Sequence, residues 1–213
     1  MSFITDTYWA EKKACAAQLR RLMENLQTRE LSDNSLQELS QTLANVNEAM
    51  ETHPELLAQM NWAKQWEDHN MLDVQLLMNP VSGHANPIAA PLNINIDDDD
   101  ELVRGEVTMG WQYEGPPGCV HGGFIAALFD EMMGLTQLKA KNPGMTGELK
   151  VRYQRPTPLA QPLQFEAQVD RSEGRKTFVT AVLKHQDTVT ASCEAVFIRP
   201  RQSPMKTLRE SEA

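Results

Sequence analysis

The spacing of hydrophobic and polar positions along the chain changes near residue 80. Before that point apolar residues recur every three or four positions, the period of a helix with one apolar face. Ser35 followed by Glu38 predicts a capping-box start for one such helix. Its apolar stripe consists of Leu36, Leu39, Leu43, Val46 and Met50. We interpret this stripe as a packing surface and not as a cofactor box.

An earlier stripe predicts a second helix that can pair with the first as a helical hairpin. Its members are Cys15, Leu19, Leu22 and Leu26. Trp62 and Trp66 lie one helical turn apart after Pro54 and predict a further short helix. We therefore predict a helical extension over residues 1–78.

The region from 80 to 91 is punctuated by Pro80, Gly83, Pro87 and Pro91, which predicts an irregular connector. Beyond it the period becomes two, as in half-buried strands. In 103–111, one face carries Val103, Val107, Met109 and Trp111.

Four later segments also read as strands: 147–155, 162–170, 176–185 and 188–198. In the first of these, Leu149, Val151 and Tyr153 are expected to face inward. The short connections SEGRK and HQDT favour antiparallel hairpins.

Between the first strand and the other four lies GPPGCVHGGFIAALFDEMMG, residues 115–134, which predicts a long apolar helix starting near His121 to Gly123. A helix that is apolar nearly all round has to be wrapped by the sheet. The sequence therefore predicts an α+β hotdog fold over residues 79–200, an antiparallel sheet around one long central helix. The tail, 201–213, is expected to be loose.

Composition narrows the possible functions. The net charge of −9 argues against nucleic-acid binding, which needs a basic patch. The three cysteines are far apart and show no zinc-ligand spacing, and DDDDE (97–101) lacks the interleaved spacing of a calcium loop. We expect no metal. The N-terminal residues MSFITDTYWAEKK contain acids and no apolar core, and no run approaches the roughly 18 apolar residues of a membrane span. The cytoplasm is the expected location.

The central helix carries the candidate chemistry. Asp130 shares one helical face with small residues, which predicts a narrow groove with a single acid on its floor: Gly123, Ala126, Ala127 and Gly134. Glu131 lies about 100° around the helix. An unpaired carboxylate on a buried helix is costly, so its presence favours a functional role for Asp130.

The backbone N–H groups of Gly122 and Gly123 lie at the positive end of this helix, where they can stabilise an oxyanion. His121 alone does not distinguish a catalytic from a structural role. Asp130 lies about 12 Å along the axis from the helix start, too far to act on a carbonyl bound there. If both act on one substrate, the acid comes from a second subunit, which predicts an obligate dimer with sites at the interface.

These residues resemble a known family. GPPGCVHGGFIAALFDEMMG is similar to the HGG-x6-D signature of hotdog-fold acyl-CoA thioesterases of the PaaI-like group, and MTGELKVRYQRPTPL and SEGRK resemble later motifs of that group. The resemblance spans roughly 103–198. It implies Asp130 as general base or nucleophile, Gly122 as the oxyanion-hole glycine supported by His121, and Thr146 as a water-orienting residue.

The resemblance also implies an acyl-CoA substrate and no metal or redox cofactor. Arg155, Arg175 and Lys176 are candidates for the phosphates of coenzyme A, with solvated charges at turns as the other reading. Gly123 is a candidate substrate contact at the helix start. A homodimer or a homotetramer is expected.

Alternatives remain open from the sequence. The chain could be a non-catalytic acyl-CoA binding or sensing module, with the helical extension docking a partner. Glu131 could replace Asp130 as the acid. A hotdog hydratase would pair the Asp with a His five residues on, where this chain has Leu135. The acyl pocket is expected to involve Phe124, Leu128, Met132 and Met133.

Overall fold

The computed structural model describes residues 6–54, 77–97 and 100–201. Two helices open the chain, α1 (Asp6–Thr28) and α2 (Asp33–Glu51), and a third, α3 (Gly122–Thr136), follows the second strand. The strands are β1 (Asn93–Asn95), β2 (Val103–Thr108), β3 (Met145–Tyr153), β4 (Pro162–Glu173), β5 (Lys176–His185) and β6 (Thr188–Ile198). Short 3-10 turns span Trp111–Tyr113 and Gln137–Ala140.

The six strands form one antiparallel sheet in the order β1-β2-β4-β5-β6-β3. Helix α3 connects β2 to β3 and packs on one face of this sheet. The predicted architecture, an antiparallel sheet around one long helix with N-terminal helices, is confirmed. The sequence of connections leaves β3 at the edge of the sheet opposite β1.

The core lies between α3 and the inner face of the sheet. Phe129 is fully buried on α3 and meets Phe165 edge to face, with ring centroids 5.3 Å apart. Gly105 on β2 allows close packing here: a Cβ atom on it would lie 3.0 Å from the Met132 sulfur and would require a small shift of that side chain. The inward positions of β4, β5 and β6 alternate with polar ones and complete the core with Leu163, Phe165, Ala167, Val179, Ala181, Leu183, Ala191, Cys193, Ala195 and Phe197.

Helix α1 is attached to the outside of this domain near the start of α3. Trp9 and Ala16 are its buried residues. The Arg20 guanidinium donates hydrogen bonds to the backbone carbonyls of Asn86 (2.9 Å) and His84 (3.3 Å). Because a charged side chain donates both bonds to backbone carbonyls, they hold α1 in a fixed position against the connector.

Helix α2 differs from the sequence prediction in its start and its packing. Its N-cap is Ser32, whose hydroxyl accepts from the Ser35 N–H at 3.2 Å, so the capping box at Ser35 and Glu38 is wrong. The Glu38 carboxylate accepts instead from the Asn34 side chain. No residue of α2 is fully buried: on its apolar stripe Leu39 and Leu43 are half-buried, whereas Leu36, Val46 and Met50 are exposed.

The strand predictions hold with small changes at the ends. Strand β2 stops at Thr108, because Trp111 belongs to a 3-10 turn and is 37% exposed, so its assignment to the inner face of that strand is wrong. Strand β1 follows the predicted connector and was not anticipated. The short helix predicted at Trp62 and Trp66 and most of the predicted tail lie outside the described residues.

Truncating Phe129 tests whether α3 depends on this core. We expect Phe129→Ala to lower the free energy of unfolding by about 3 to 5 kcal/mol, because a fully buried ring leaves a cavity. Phe124→Ala on the same helix is the matched control, since Phe124 is 41% exposed; it should cost about 1 kcal/mol. Urea unfolding followed by circular dichroism measures both, and equal losses would contradict this packing.

Candidate active site

The start of α3 presents an unused backbone donor. His121 is the N-cap: its Nδ1 accepts from the Gly123 N–H at 3.0 Å, and its carbonyl accepts from the Phe124 and Ile125 N–H groups. In the described part of the chain nothing accepts from the Gly122 N–H. Because a helix N-terminus carries partial positive charge, this free donor can bind an oxygen that is gaining negative charge.

The His121 ring has a defined role at this helix start. Since Nδ1 acts as an acceptor, the neutral imidazole carries its proton on Nε2. The loop before the ring is fixed by the His121 N–H, which donates to the Tyr113 carbonyl at 2.9 Å, and by the Val120 N–H, which donates to Thr157 at 2.8 Å. The ring therefore orders the glycine pair as a cap.

Tyr153, at the end of β3, contacts the same glycine pair. Its hydroxyl donates to the Gly122 carbonyl at 2.7 Å. A Cβ atom on Gly122 would lie 3.2 to 3.3 Å from the Tyr153 ring and hydroxyl. Gly122 thus provides room for the tyrosine as well as the donor. Period-two alternation predicts that Tyr153 faces inward but does not predict this contact.

Asp130 pairs with Thr146 two turns further along α3. The Thr146 hydroxyl donates to Asp130 Oδ1 at 2.7 Å. The carboxylate is only half-buried, so it has a partner and also access to solvent. The sequence analysis singled out both residues, and the structure brings them together.

A β-bulge makes this pair possible. Leu149, Val151 and Tyr153 face the helix, so strict alternation would turn Thr146 to the outer face of the sheet. The register shifts between Thr146 and Glu148, which pairs Thr146 with the buried Phe197 and turns its hydroxyl inward. Gly147 fills the bulge, where a Cβ atom would lie 2.7 Å from Ile198. Simple period-two counting misses this change.

The face of α3 around Asp130 is open, as predicted for a groove of small residues. Ala126, Ala127 and Gly134 are half-buried and Gly123 is exposed. The four predicted pocket residues do not lie together. Phe124 is exposed beside Tyr113, whereas the other three are buried in the closed core, which contradicts their role in a pocket. These are Leu128, Met132 and Met133.

Glu131 serves a different purpose from Asp130. One of its carboxylate oxygens accepts from the Asn79 amide at 2.9 Å and the other from the Ser82 hydroxyl at 2.7 Å. The Asn79 side-chain oxygen in turn accepts from the Val81 N–H at 2.7 Å. Both oxygens of Glu131 therefore tie the connector to α3, which favours a structural role for this acid.

Asp130 also affects the pKa of a neighbouring thiol, that of Cys193. Burial, with a smaller contribution from the negative charge of Asp130, raises the pKa of the Cys193 thiol to about 12. Cys193 is 3% exposed and pairs with Val151 across β6 and β3. A thiol held in its neutral form is a poor nucleophile, so Cys193 acts as packing beneath Asp130.

The three candidate phosphate contacts lie at two ends of the sheet. Arg155 follows β3, close to Tyr153, whereas Arg175 and Lys176 form the β4–β5 turn. Lys176 and Met145 both pair with Ile198, so this turn lies near the Thr146 end of β3. The length of β3, about 30 Å at 3.3 Å per residue, separates Arg155 from the other two within one chain.

Basic side chains contact the acidic run in the part of it that the structure describes. The Lys139 ammonium donates to the backbone carbonyls of Asp97 and Asp100, and Arg104 pairs with the Asp100 carboxylate. Across residues 6–54, 77–97 and 100–201, no three His, Cys, Asp or Glu side chains are grouped as metal ligands would be. The helices in these ranges are all too short or too polar to cross a bilayer.

The chain has a hotdog-like fold, and its residues 117–192 match the model of the thioesterase superfamily. Acyl-coenzyme A thioesterase THEM4 from Mus musculus is 33% identical over 99 residues, or 46% of this chain and 43% of that protein. Acyl-coenzyme A thioesterase THEM5 from Homo sapiens is 30% identical over 92 residues, or 42% of this chain and 37% of that protein. The match therefore spans less than half the length of these relatives.

A solved structure is similar over more of the chain. The crystal structure of RHA08564, a thioesterase superfamily protein, is 28% identical and has a TM-score of 0.74 over 88% of this chain and 94% of that chain. A match of that extent cannot be confined to the sheet and its helix, so it includes part of the helical extension. The extension is thus shared with at least one protein of known structure.

Removing the charge of Glu131 tests its structural role. We expect Glu131→Gln to lower the free energy of unfolding by about 1.5 to 3 kcal/mol, because an amide nitrogen then faces a hydrogen-bond donor of the connector. Glu106→Gln is the matched control: Glu106 is exposed on β2, and its replacement should stay within about 0.5 kcal/mol of the wild type. Chemical denaturation of the two variants gives the comparison, and an unchanged Glu131→Gln stability would refute the anchoring role.

Proposed function

We propose that this protein is an acyl-CoA thioesterase that hydrolyses the thioester bond of an acyl-coenzyme A to a free acid and coenzyme A. The observation that carries this proposal is the Thr146–Asp130 hydrogen bond on a half-open helix whose other end presents the free Gly122 N–H. Relatives at about 30% identity are named acyl-coenzyme A thioesterases, which supports the same substrate class. Similarity to the PaaI-like group is retained as part of this proposal.

The active form is proposed to be a homodimer, because the two catalytic groups of one chain cannot reach one carbonyl. Eight residues of helix separate Gly122 from Asp130, about 12 Å along the axis. A reacting carbonyl needs both groups within about 3 Å. A second copy of the chain can supply the missing acid.

Strand β3 is the proposed contact between the copies. It is a nine-residue strand at the edge of the sheet, and no other described strand pairs with its outer side. Such an edge favours pairing with another strand. Antiparallel pairing of two copies of β3 about a two-fold axis near its middle would bring the Tyr153 end of one copy beside the Thr146 end of the other. Gly122 of one subunit would then face Asp130 of its partner.

The same symmetry would unite the phosphate contacts. Within one chain Arg155 lies beyond the Tyr153 end of β3, and Lys176 lies near its Met145 end. In the proposed dimer, Arg155 from one subunit approaches Arg175 and Lys176 from the other. A cluster of three cations suits the phosphates of coenzyme A, although the chain as a whole is acidic.

The proposed reaction begins with the acyl carbonyl bound at the Gly122 N–H of one subunit. Asp130 of the other subunit accepts a proton from water, whose oxygen attacks the carbonyl carbon. The resulting oxyanion is stabilised by the Gly122 N–H and the helix dipole. Collapse of this intermediate breaks the carbon–sulfur bond, and the thiolate takes the proton from Asp130. Among the described residues Thr146 binds only Oδ1 of Asp130, which leaves the second oxygen available for this role.

Direct attack by Asp130 is the other proposed route. A carboxylate oxygen would form a mixed anhydride with the acyl group as the thiolate leaves, and water would then hydrolyse the anhydride. In both routes the protein supplies all the acid–base and oxyanion groups, so the proposal requires no metal and no redox cofactor. The Thr146 hydroxyl orients the carboxylate in both.

Release of free thiol from a panel of acyl-CoAs tests the proposed function. We expect Asp130→Asn to lower kcat by roughly 100-fold or more, because the amide cannot accept the proton. Thr146→Val should lower kcat by about tenfold, because the carboxylate remains but is no longer oriented. Glu131→Gln, the neighbouring acid on the same helix, is the matched control and should retain turnover.

The other outcomes of this assay have distinct meanings. Loss of turnover in Glu131→Gln alone, in folded protein, would leave the reaction in place and reassign the acid. Binding of acyl-CoA by the wild type without thiol release from any member of the panel would refute hydrolysis. The non-catalytic acyl-CoA binding module would then replace the thioesterase.

A further inference from the structure

We propose that Tyr153 is a positioning residue for the oxyanion site, acting through its hydrogen bond to the Gly122 carbonyl. This inference rests on the proposed thioesterase function and adds a residue to it. Tyr153 lies on β3, whereas Gly122 lies on α3, so the contact joins the sheet to the exact turn of helix that would bind the substrate oxygen. Its role is to fix that turn and not to touch the reacting atoms.

The contact has two parts. The hydroxyl donates to the Gly122 carbonyl at 2.7 Å, a normal length for a hydroxyl donor. The ring lies against the Gly122 backbone, with ring carbons 3.2 and 3.3 Å from the position that a Cβ atom would take. One side chain therefore restrains both the direction of the carbonyl and the lateral position of the peptide.

This restraint acts where the helix is least held by its own hydrogen bonds. The N–H groups of the first turn have no acceptors within the helix. The Gly123 N–H is bound by the His121 ring, and the Gly122 N–H is left free for a substrate. Two consecutive glycines also lack the side chains that limit backbone freedom. Without an external contact, the free donor would sample several directions.

Core packing does not account for the position of Tyr153. The residue is 54% exposed, and its hydroxyl bonds to a helix carbonyl at the edge of the sheet. It faces the helix because it pairs with the buried Ala191. Within one chain the Tyr153 side chain gains little from burial, and its hydroxyl is positioned by the hydrogen bond to Gly122.

The two ends of β3 therefore hold the two groups of the site. Thr146 near the start of the strand binds the Asp130 carboxylate, and Tyr153 at its end binds the Gly122 carbonyl. Because one rigid strand carries both contacts, it sets the acid and the oxyanion donor relative to each other. In the proposed dimer, this makes β3 both the contact between subunits and the support of both sites.

The variant Tyr153→Phe tests the role, because it keeps the ring against Gly122 and removes only the donor. We expect kcat for acyl-CoA hydrolysis to fall by about tenfold, because the Gly122 N–H is no longer held in one orientation. KM and coenzyme A affinity should stay within about twofold of the wild type. Tyr113→Phe is the matched control. Its hydroxyl also donates to a backbone carbonyl, that of Ile88 at 3.1 Å, and its loss should leave kcat unchanged while lowering the unfolding midpoint.

Steady-state kinetics, coenzyme A binding by calorimetry and thermal unfolding are measured on the three full-length proteins. A fall in kcat for Tyr153→Phe alone, with ligand affinity retained, supports positioning. If the wild type is active and kcat is unchanged in Tyr153→Phe, the inference is overturned and the proposed thioesterase function stands. An equal fall of kcat in both variants has the same meaning. A wild type that releases no thiol overturns the proposed function and the inference with it.

Discussion

The contact between one apolar helix and one antiparallel sheet determines the rest of this structure. Helix α3 buries Ile125, Phe129 and Met133 against alternating inward side chains of the strands. Packing to the density of a protein core fixes both the depth and the rotation of the helix. The positions of every other residue on α3, including its two acids, follow from that rotation. A helix buried equally on all sides would have no place for Asp130.

The sheet covers α3 incompletely, and the uncovered part is where the proposed chemistry takes place. Strand β3 is the last strand on its side of the sheet, so the helix face beside it stays half-open. The two acids have different hydrogen-bond partners because their side chains point to different sides of α3. Glu131 turns to the connector, where Asn79 and Ser82 satisfy both of its oxygens. Asp130 turns to the edge strand, where one hydroxyl satisfies one oxygen.

The sequence was informative about the fold because its period changed. Alternation located β4, β5 and β6, and a run of apolar residues after paired glycines located α3. Exposed elements were harder: the stripe on α2 has helical spacing, but its members Leu36, Val46 and Met50 are exposed, so periodicity alone overstated its packing. Trp111 continues the alternating pattern in the sequence, but the backbone at this position forms a 3-10 helix and not a strand.

The site was predictable in its residues but not in its contacts. Motif spacing pointed to Asp130, Gly122 and Thr146, whose roles remain proposals. The bulge at Gly147 and the Tyr153 contact depend on strand register. A shift of one residue in register turns each side chain to the opposite face of the sheet, and the composition of a strand does not determine its register. The anchoring of Glu131 depends on a connector without periodicity. Local patterns predict elements, and contacts between distant segments need the assembled fold.

The central claim is that each site combines the helix start of one subunit with the acid of another. Mixing two inactive variants, Asp130→Asn and Gly122→Val, tests it most directly after dissociation and reassociation of the subunits. A heterodimer with sites across the interface contains one intact site, so the mixture should recover about a quarter of wild-type turnover at random pairing. The valine side chain is chosen because even a single Cβ atom meets the Tyr153 ring. No recovery in a mixture shown by mass spectrometry to contain heterodimers would contradict the shared site.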